Sequence, residues 1–301
     1  MNPEFCVKLG INPISWSNDD LPSLGAATSL ATALEEGSAI GYEGFEMNSK
    51  FPSTGEAIQK LLQPYGVELV SGWYSGRLAQ HTVEKEILSA ASHLDLLAQN
   101  SVKILVYGEV AGSIQGLWVP LYKRPRFRTD SAWCAYAKRL TTFAQYTLRQ
   151  YGIRLAYHHH MGAYVQSPAD VDQLMELTGE EVGLLFDSGH ITFAGGTAEK
   201  FLEKHLDRIC HVHFKDVRSE IMQIAQNRSW SFLESVLNGV FTVPSDGAIN
   251  FSPLIERLQA KGYQGWIVVE AEQDPIVAPS SVYAKKGYQT LRGLLNHFAE
   301  R

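Results

Sequence analysis

Short apolar runs rich in β-branched residues recur along this chain, and a segment of helical period follows each one. The runs fall at 7–11, 41–47, 67–73, 102–107, 153–159, 182–186, 209–214 and 266–271. The helical segments fall at 28–36, 54–65, 83–100, 131–151, from Pro168 onward, and at 198–206, 252–261 and 280–298. Gly37 is expected to close the first helix, and Pro168 to open the fifth, because the first helical position needs no amide hydrogen. Continuous apolar strands separated by helices call for a parallel sheet covered on both faces. Repeated in strict order, the pairs predict a single α/β domain over residues 1–301, a (β/α)8 TIM barrel, rather than a doubly wound open sheet. No Gly-x-Gly-x-x-Gly follows the first run, which weakens the dinucleotide-binding alternative.

Two segments break the rhythm. Residues 108–130 hold Trp118 and the basic group Lys123, Arg124, Arg126 and Arg128, and are too long for an ordinary βα connection. They are expected to cover a substrate. Residues 216–250 form a second excursion, with expected helices at 217–226 and 231–237.

Composition bounds the partners. A formal net charge of -6 gives no general attraction to phosphate backbones, so nucleic acid is not expected. No apolar run approaches the roughly 20 residues of a membrane span. The start of the chain carries an acid where a signal peptide would be basic, so the expected location is cytoplasmic. Cys6, Cys134 and Cys210 are odd in number and widely spaced, and are read as free thiols. A small-molecule substrate is expected, and a homo-oligomer stays open.

In a barrel of this kind the site lies at the C-terminal ends of the strands. The residues there are Asn12, Glu46, Trp73, Tyr107, Glu109, His158, His160, Asp187, His190, His211, His213, Glu270 and Glu272. So many imidazoles and carboxylates at one mouth are what a divalent metal requires. Alternation puts His158 and His160 on one face and His159 on the other. It cannot choose within the pairs His158/His160, His211/His213 or Glu270/Glu272. Asp187 directly follows the apolar run 182–186, where a carboxylate without a compensating charge is costly to bury. His205 and His297 fall on helices and are read as surface.

The segments Asp187-Ser188-Gly189-His190 and His211-Val212-His213-Phe214-Lys215-Asp216, followed by Glu270, resemble the xylose-isomerase-like superfamily of metal-dependent sugar isomerases, epimerases and dehydratases. The match runs nearly the whole chain, and includes Gly10 to Ile14 with Trp16 and Asn18-Asp19-Asp20, and Phe241 to Pro244 with Asp246-Gly247. The triple histidine 158–160 and the run Glu270-Ala271-Glu272-Gln273-Asp274-Pro275 are more narrowly similar to its inosose dehydratases.

The resemblance implies metal ligation by Asp187, His213 and Glu270, with His158 where many epimerases have glutamate; whether His158 or His160 binds stays open. It implies Mn2+ or Co2+, and on its own admits glutathione. The implied reaction is loss of water from 2-keto-myo-inositol, giving a trihydroxycyclohexane dione. Proton transfer would fall to His190 or His160, and orientation to Glu46, Lys215, Trp16 and Trp73. Asn12, Tyr107, His211 and Glu272 would also meet the substrate. Glu46 could instead pair with a nearby basic group, and Lys215 with Asp216. The loops at 47–51 and 108–130 would choose among cyclitols. The rival functions are an isomerase or epimerase, an abasic-site endonuclease, which the acidic balance disfavours, and a carbohydrate-binding barrel without turnover.

Overall fold

Eight parallel strands close into one barrel in the order β1-β10-β7-β6-β5-β4-β3-β2. This computed structural model describes residues 5–299, so the acid at residue 4, read against a signal peptide, lies outside the described residues. The barrel strands are β1 (Val7–Ile11), β2 (Gly44–Met47), β3 (Glu68–Gly76), β4 (Ile104–Glu109), β5 (Arg154–Tyr157), β6 (Val182–Asp187), β7 (Ile209–Phe214) and β10 (Gly265–Val269), while β8 (Asp216–Val217) and β9 (Phe241–Thr242) form a small antiparallel pair. The helices outside it are α1 (Leu30–Ile40), α2 (Gly55–Leu62), α3 (Val83–Gln99), α4 (Asp130–Tyr151), α5 (Pro168–Leu177), α6 (Ser188–Phe193), α7 (Ala198–His205), α8 (Ser219–Arg228), α9 (Phe232–Leu237), α10 (Ser252–Lys261) and α11 (Ser280–Ala299). None of the described helices is long and apolar enough to cross a membrane.

The barrel interior is filled in layers. At the bottom, a Cβ on Gly44 would stand 2.6 Å from Val70 and 2.7 Å from Trp266, so these side chains plug the floor only because glycine leaves the space. Above them Val106, Ala156 and Leu185 make an apolar layer. The functional side chains form the layer above that, which places charged groups on a dry base. Around the outside, side chains of Ser29, Thr54, Thr82, Thr129 and Ser167 cap helices by accepting a backbone N–H, each worth about 1 kcal/mol.

Several boundaries differ from expectation for identifiable reasons. Helix α1 passes through Gly37 and stops at Gly41, where φ is 118°. Gly37 is a packing position: a Cβ there would stand 2.4 Å from the Phe45 ring. Strand β5 ends at Tyr157, so the three histidines occupy the loop beyond it. Helix α8 begins at Ser219 because Asp216 and Val217 pair with β9. His205 is buried, with Nε2 2.8 Å from Asp172 Oδ1, while His297 is exposed.

The segment 108–130 is fastened rather than free. Buried Arg124 donates to Asp170 Oδ2 at 2.6 Å and to the Tyr164 carbonyl at 2.6 Å, and Phe127 stacks on Tyr164 with ring centroids 4.2 Å apart.

Candidate active site

Four buried residues from four strand ends, His158, Asp187, His213 and Glu270, each offer a ligand atom within 4.8 Å of the others. His158 Nδ1 donates to the His159 carbonyl at 2.7 Å, which leaves Nε2 as a lone-pair nitrogen 3.8 Å from Asp187 Oδ2. His213 Nδ1 lies 2.8 Å from Glu270 Oε2 and 3.7 Å from Asp187 Oδ2, yet neither Nδ1 nor Asp187 Oδ2 makes a hydrogen bond of acceptable geometry. Orphaned lone pairs pointing at a common centre are what a cation explains. The electrostatics agree. Burial alone would raise the Asp187 and Glu270 carboxyls, but Lys215 and His190 outweigh it for Asp187, and His213 and Lys215 for Glu270; both sit well below the ordinary range. Burial opposes a proton on His213, yet Glu270 and Glu46 draw one there. The same field draws a divalent cation. The residues fit such an ion.

Glu46 supports this cluster from below and to the side. Its Oε1 accepts from Ser71 Oγ at 2.5 Å, His211 Nε2 at 2.8 Å and His213 Nε2 at 3.0 Å, and its Oε2 accepts from Asn12 Nδ2 at 2.9 Å. Holding His213 Nε2–H fixes the tautomer that frees Nδ1 for a metal. Asn12 also donates to Glu270 Oε2 at 3.1 Å. Despite burial, the two histidines keep the Glu46 carboxyl far below its usual range.

A second cluster adjoins the first: His160, His190 and Glu272, also buried and also within 4.8 Å of one another. Here a cation is already present. Lys215 Nζ lies 2.7 Å from Glu272 Oε2, 2.7 Å from Glu270 Oε1, 3.4 Å from Asp187 Oδ2 and 2.9 Å from His190 Nε2. Burial disfavours the ammonium, but the three carboxylates outweigh it and hold Lys215 well above its ordinary value. Lys215 therefore does not pair with Asp216, whose carboxylate instead accepts the N–H groups of Val217, Ser245, Gly247 and Ile249 and shapes that loop. Phe232 and Phe241, from the segment 216–250, pack on the His190 ring at 5.8 and 5.3 Å.

Both clusters border one cavity of about 400 Å³. Asn12, Glu46, Trp73, His158, His160, His213, Glu270 and Glu272 line it. Three expected substrate contacts do not. Trp16 is buried with its indole N–H donated to Glu36 at 2.7 Å. Tyr107 has the opposite parity to Val106, faces the helices, and donates to Glu109 at 2.9 Å. His211 lies one layer deeper, held on Glu46. Neither His190 nor Lys215 reaches the cavity surface; both are fully buried behind it. Residues that strand-end reasoning passed over, Asp19, Asp20 and Gln115, do line it, with Asn48 and Ser49 from the loop after β2. The Asn18-Asp19-Asp20 triplet carried a signal: Asn18 Oδ1 accepts the N–H groups of Asp20 and Leu21 at 2.8 Å each, a side-chain turn that aims the two acids.

Comparison with known proteins gives a consistent set of relatives. The family model described as xylose isomerase-like TIM barrel matches residues 34–294. The chain is 44% identical over 291 residues to the rhizopine catabolism protein MocC of Rhizobium meliloti, covering 96% of this chain and 89% of that one. It is 40% identical over 294 residues to an inosose dehydratase of Bacillus thuringiensis (strain Al Hakam), covering 97% and 98%. An inosose dehydratase of Histophilus somni (strain 129Pt) is 38% identical over 289 residues, covering 95% and 97%. Among solved structures, the IOLI protein with a binding zinc atom superposes with a TM-score of 0.69 at 15% identity, over 97% of this chain and 99% of that one. The probable 3-DHS dehydratase AsbF of Bacillus anthracis gives 0.69 at 14% identity, over 95% and 99%. At such identities these two structures speak for the fold alone.

Proposed function

We propose that this chain, which belongs to the xylose isomerase-like TIM barrel family, is a metal-dependent hydro-lyase that removes water from inosose (2-keto-myo-inositol). One observation carries the reading: a four-residue, buried ligand set opens on a cavity of about 400 Å³ that the imidazole of His160 also lines, in a chain that matches inosose dehydratases 38% and 40% identical to it over nearly their full length.

His158, Asp187, His213 and Glu270 would hold the ion, and Mn2+ or Co2+ suits a mixed imidazole and carboxylate set. Bound there, a divalent cation withdraws charge from the ketone oxygen and so acidifies the neighbouring C–H. The protein supplies the rest. His160 Nδ1 lies 3.0 Å from the Met161 carbonyl and is its donor, so Nε2 is free on the cavity side. His160 and Glu272 face the cavity, and between them take the C–H proton and return one to the hydroxyl on the next carbon, which departs as water. His190 stands behind His160, ring centroids 4.3 Å apart, and is tied to Lys215. Lys215 and Glu46 act as positioning groups: Lys215 Nζ binds Glu270, Glu272 and His190, and Glu46 ties Asn12 and His213 to Ser71 and His211 behind them. Trp73, edge-on to His158 and His160 at 5.5 and 5.7 Å, gives an apolar surface for a ring's C–H face.

The test is product analysis of metal-loaded protein with inosose. A dione chromophore is expected to appear, and to vanish on chelation. Scrambled stereochemistry without the chromophore would make the protein an epimerase. The 44% identity to a rhizopine catabolism protein favours one second reading, a rhizopine-derived ring as substrate. Relative kcat/KM on the two rings decides between them.

A further inference from the structure

The cavity has two unlike walls. The strand ends give the metal ligands, and the facing wall is made of loops that hydrogen bonds staple together. Asp19 accepts from Ser49 N at 3.0 Å and from Ser49 Oγ at 2.6 Å, joining the loop after β1 to the loop after β2. Gln115 Nε2 donates to Asp20 Oδ1 at 2.9 Å, joining it to the segment after β4. Asp19 is thus used up in the staple. Asp20 is not: only Oδ1 is engaged, Oδ2 takes no hydrogen bond among the described residues, and the carboxyl lines the cavity.

Asp20 is also near enough to His160 and Glu272 to feel their charges. His160 and Glu272 belong to the cluster beside the four ligands, so Asp20 reaches the same cavity from the loop wall rather than from the strand ends. A ring held by its ketone at the metal and met by His160 and Glu272 would turn its other hydroxyls to that wall. A carboxyl oxygen is suited to a hydroxyl, and one fixed by an amide donor reads a single hydroxyl position rather than any polar group. Burial raises the Asp20 carboxyl above its ordinary value, against the opposing pull of His160 and the Gln115 amide.

We propose that Asp20 is a substrate-contacting, specificity-determining residue that grips a ring hydroxyl from the loop side of the cavity, with Gln115 as the residue that positions it. This rests on the reading of the substrate as a cyclitol ring. It assigns the segment 108–130 a defined task, since Gln115 is its contact with the cavity wall.

The experiment uses full-length, metal-loaded protein, titrated calorimetrically with myo-inositol and assayed on inosose. Asp20→Asn is expected to weaken myo-inositol binding and raise KM by about ten- to a hundredfold. Bound metal and the thermal midpoint stay as in the wild type. Gln115→Ala raises KM less and keeps kcat within about twofold, a split that mere loosening of the fold would not give. Unchanged binding and KM in Asp20→Asn would overturn the proposal. Should Asp20→Asn fail to fold, Asp20→Ser and Gln115→Ala carry the same test. The two readings fail separately: a wild type that makes no dione from inosose sinks the dehydratase reading, and the Asp20 assignment is then judged on the myo-inositol titration. A wild type that binds no myo-inositol overturns it.

Discussion

Two groups of imidazoles and carboxylates stand side by side at the barrel mouth with nearly the same composition. His158, Asp187, His213 and Glu270 leave two buried ligand atoms unsatisfied around a common point. His160, His190 and Glu272 have Lys215 Nζ among them, 2.7 Å from Glu272 and 2.9 Å from His190. Residue types alone do not make a metal site. What separates the two is where the Lys215 ammonium falls: it is in close contact with Glu272 and His190 of the second cluster, whereas in the first it touches only the Oε1 of Glu270 and stands 3.4 Å from Asp187 Oδ2, and a buried carboxylate must be neutralised by something. Glu109 shows a third solution. It is buried with only hydrogen-bond donors around it, Tyr107 and the N–H groups of Ala79 and Ala111, and burial pushes its carboxyl up to about 7. A proposed metal, an ammonium and a proton are thus three answers to one problem within a single barrel.

The comparison can be broken in several places. The largest effect is expected from Asp187→Ala, which removes the shared oxygen of the first cluster. Metal content measured by mass spectrometry should fall to near zero, with turnover down by about a thousandfold or more, the scale of losing a transition-state charge stabiliser. Retained metal would move the site elsewhere. Next, His158→Ala and His160→Ala should separate: the first loses metal, while the second keeps it and loses about 10²- to 10⁴-fold in kcat, the span of general acid-base catalysis. The reverse outcome would exchange the two roles.

Lys215→Met tests whether the ammonium is what keeps the second cluster from taking an ion. Leaving its acids uncompensated should cost about 3–5 kcal/mol in denaturant unfolding. Zinc titration should then reach a second equivalent per chain, and a stoichiometry unchanged from the wild type would remove Lys215 from that role. Glu109 gives a smaller, pH-dependent effect. Its folded value lies above its unfolded value, so its contribution is complete below about 4.5 and is lost as pH rises towards 7. Against Glu109→Gln, the wild type should lose at most about 3 kcal/mol over that window and nothing further above it. A parallel pair of pH-stability curves would refute this. The smallest effect belongs to His159, whose buried ring has both nitrogens unpartnered and lies 5.5 Å from Phe201. His159→Phe should leave metal content intact and change stability by less than about 1.5 kcal/mol, since an unsatisfied polar ring gives way to an apolar one.

Much of this arrangement was legible in the order of residues. Alternation of apolar runs and helical segments is enough for a closed parallel barrel, and a barrel puts Asp187, His213 and Glu270 at one mouth whatever the loops do. Parity served where a residue continued its strand and failed where the strand's register was misjudged: Tyr107 was taken as inward, but Val106 holds that place. It could not rank His158 against His160, because β5 ends at Tyr157 and the tautomers depend on which carbonyl each ring meets. Trp16 has the look of a binding aromatic, yet its indole is held by Glu36, a partner twenty residues on that no local pattern announces. Asp20 and Gln115 come from loops, where position follows from hydrogen bonds between segments far apart in the chain rather than from any period.

Glu46 touches groups from three other strands: Asn12 just past β1, Ser71 on β3, and His211 and His213 on β7. It works like the hub of a spoked wheel. A hoop of strands can ovalise under thermal motion, but one braced across its diameter resists, and here the brace ends on His213, one of the four proposed ligands. Distortion at any of those strands would therefore be felt at the proposed metal site within a single hydrogen bond. Change within this architecture is safest in the wall of loops, where the proposed hydroxyl recognition could be rewritten while the rim of candidate ligands stays round.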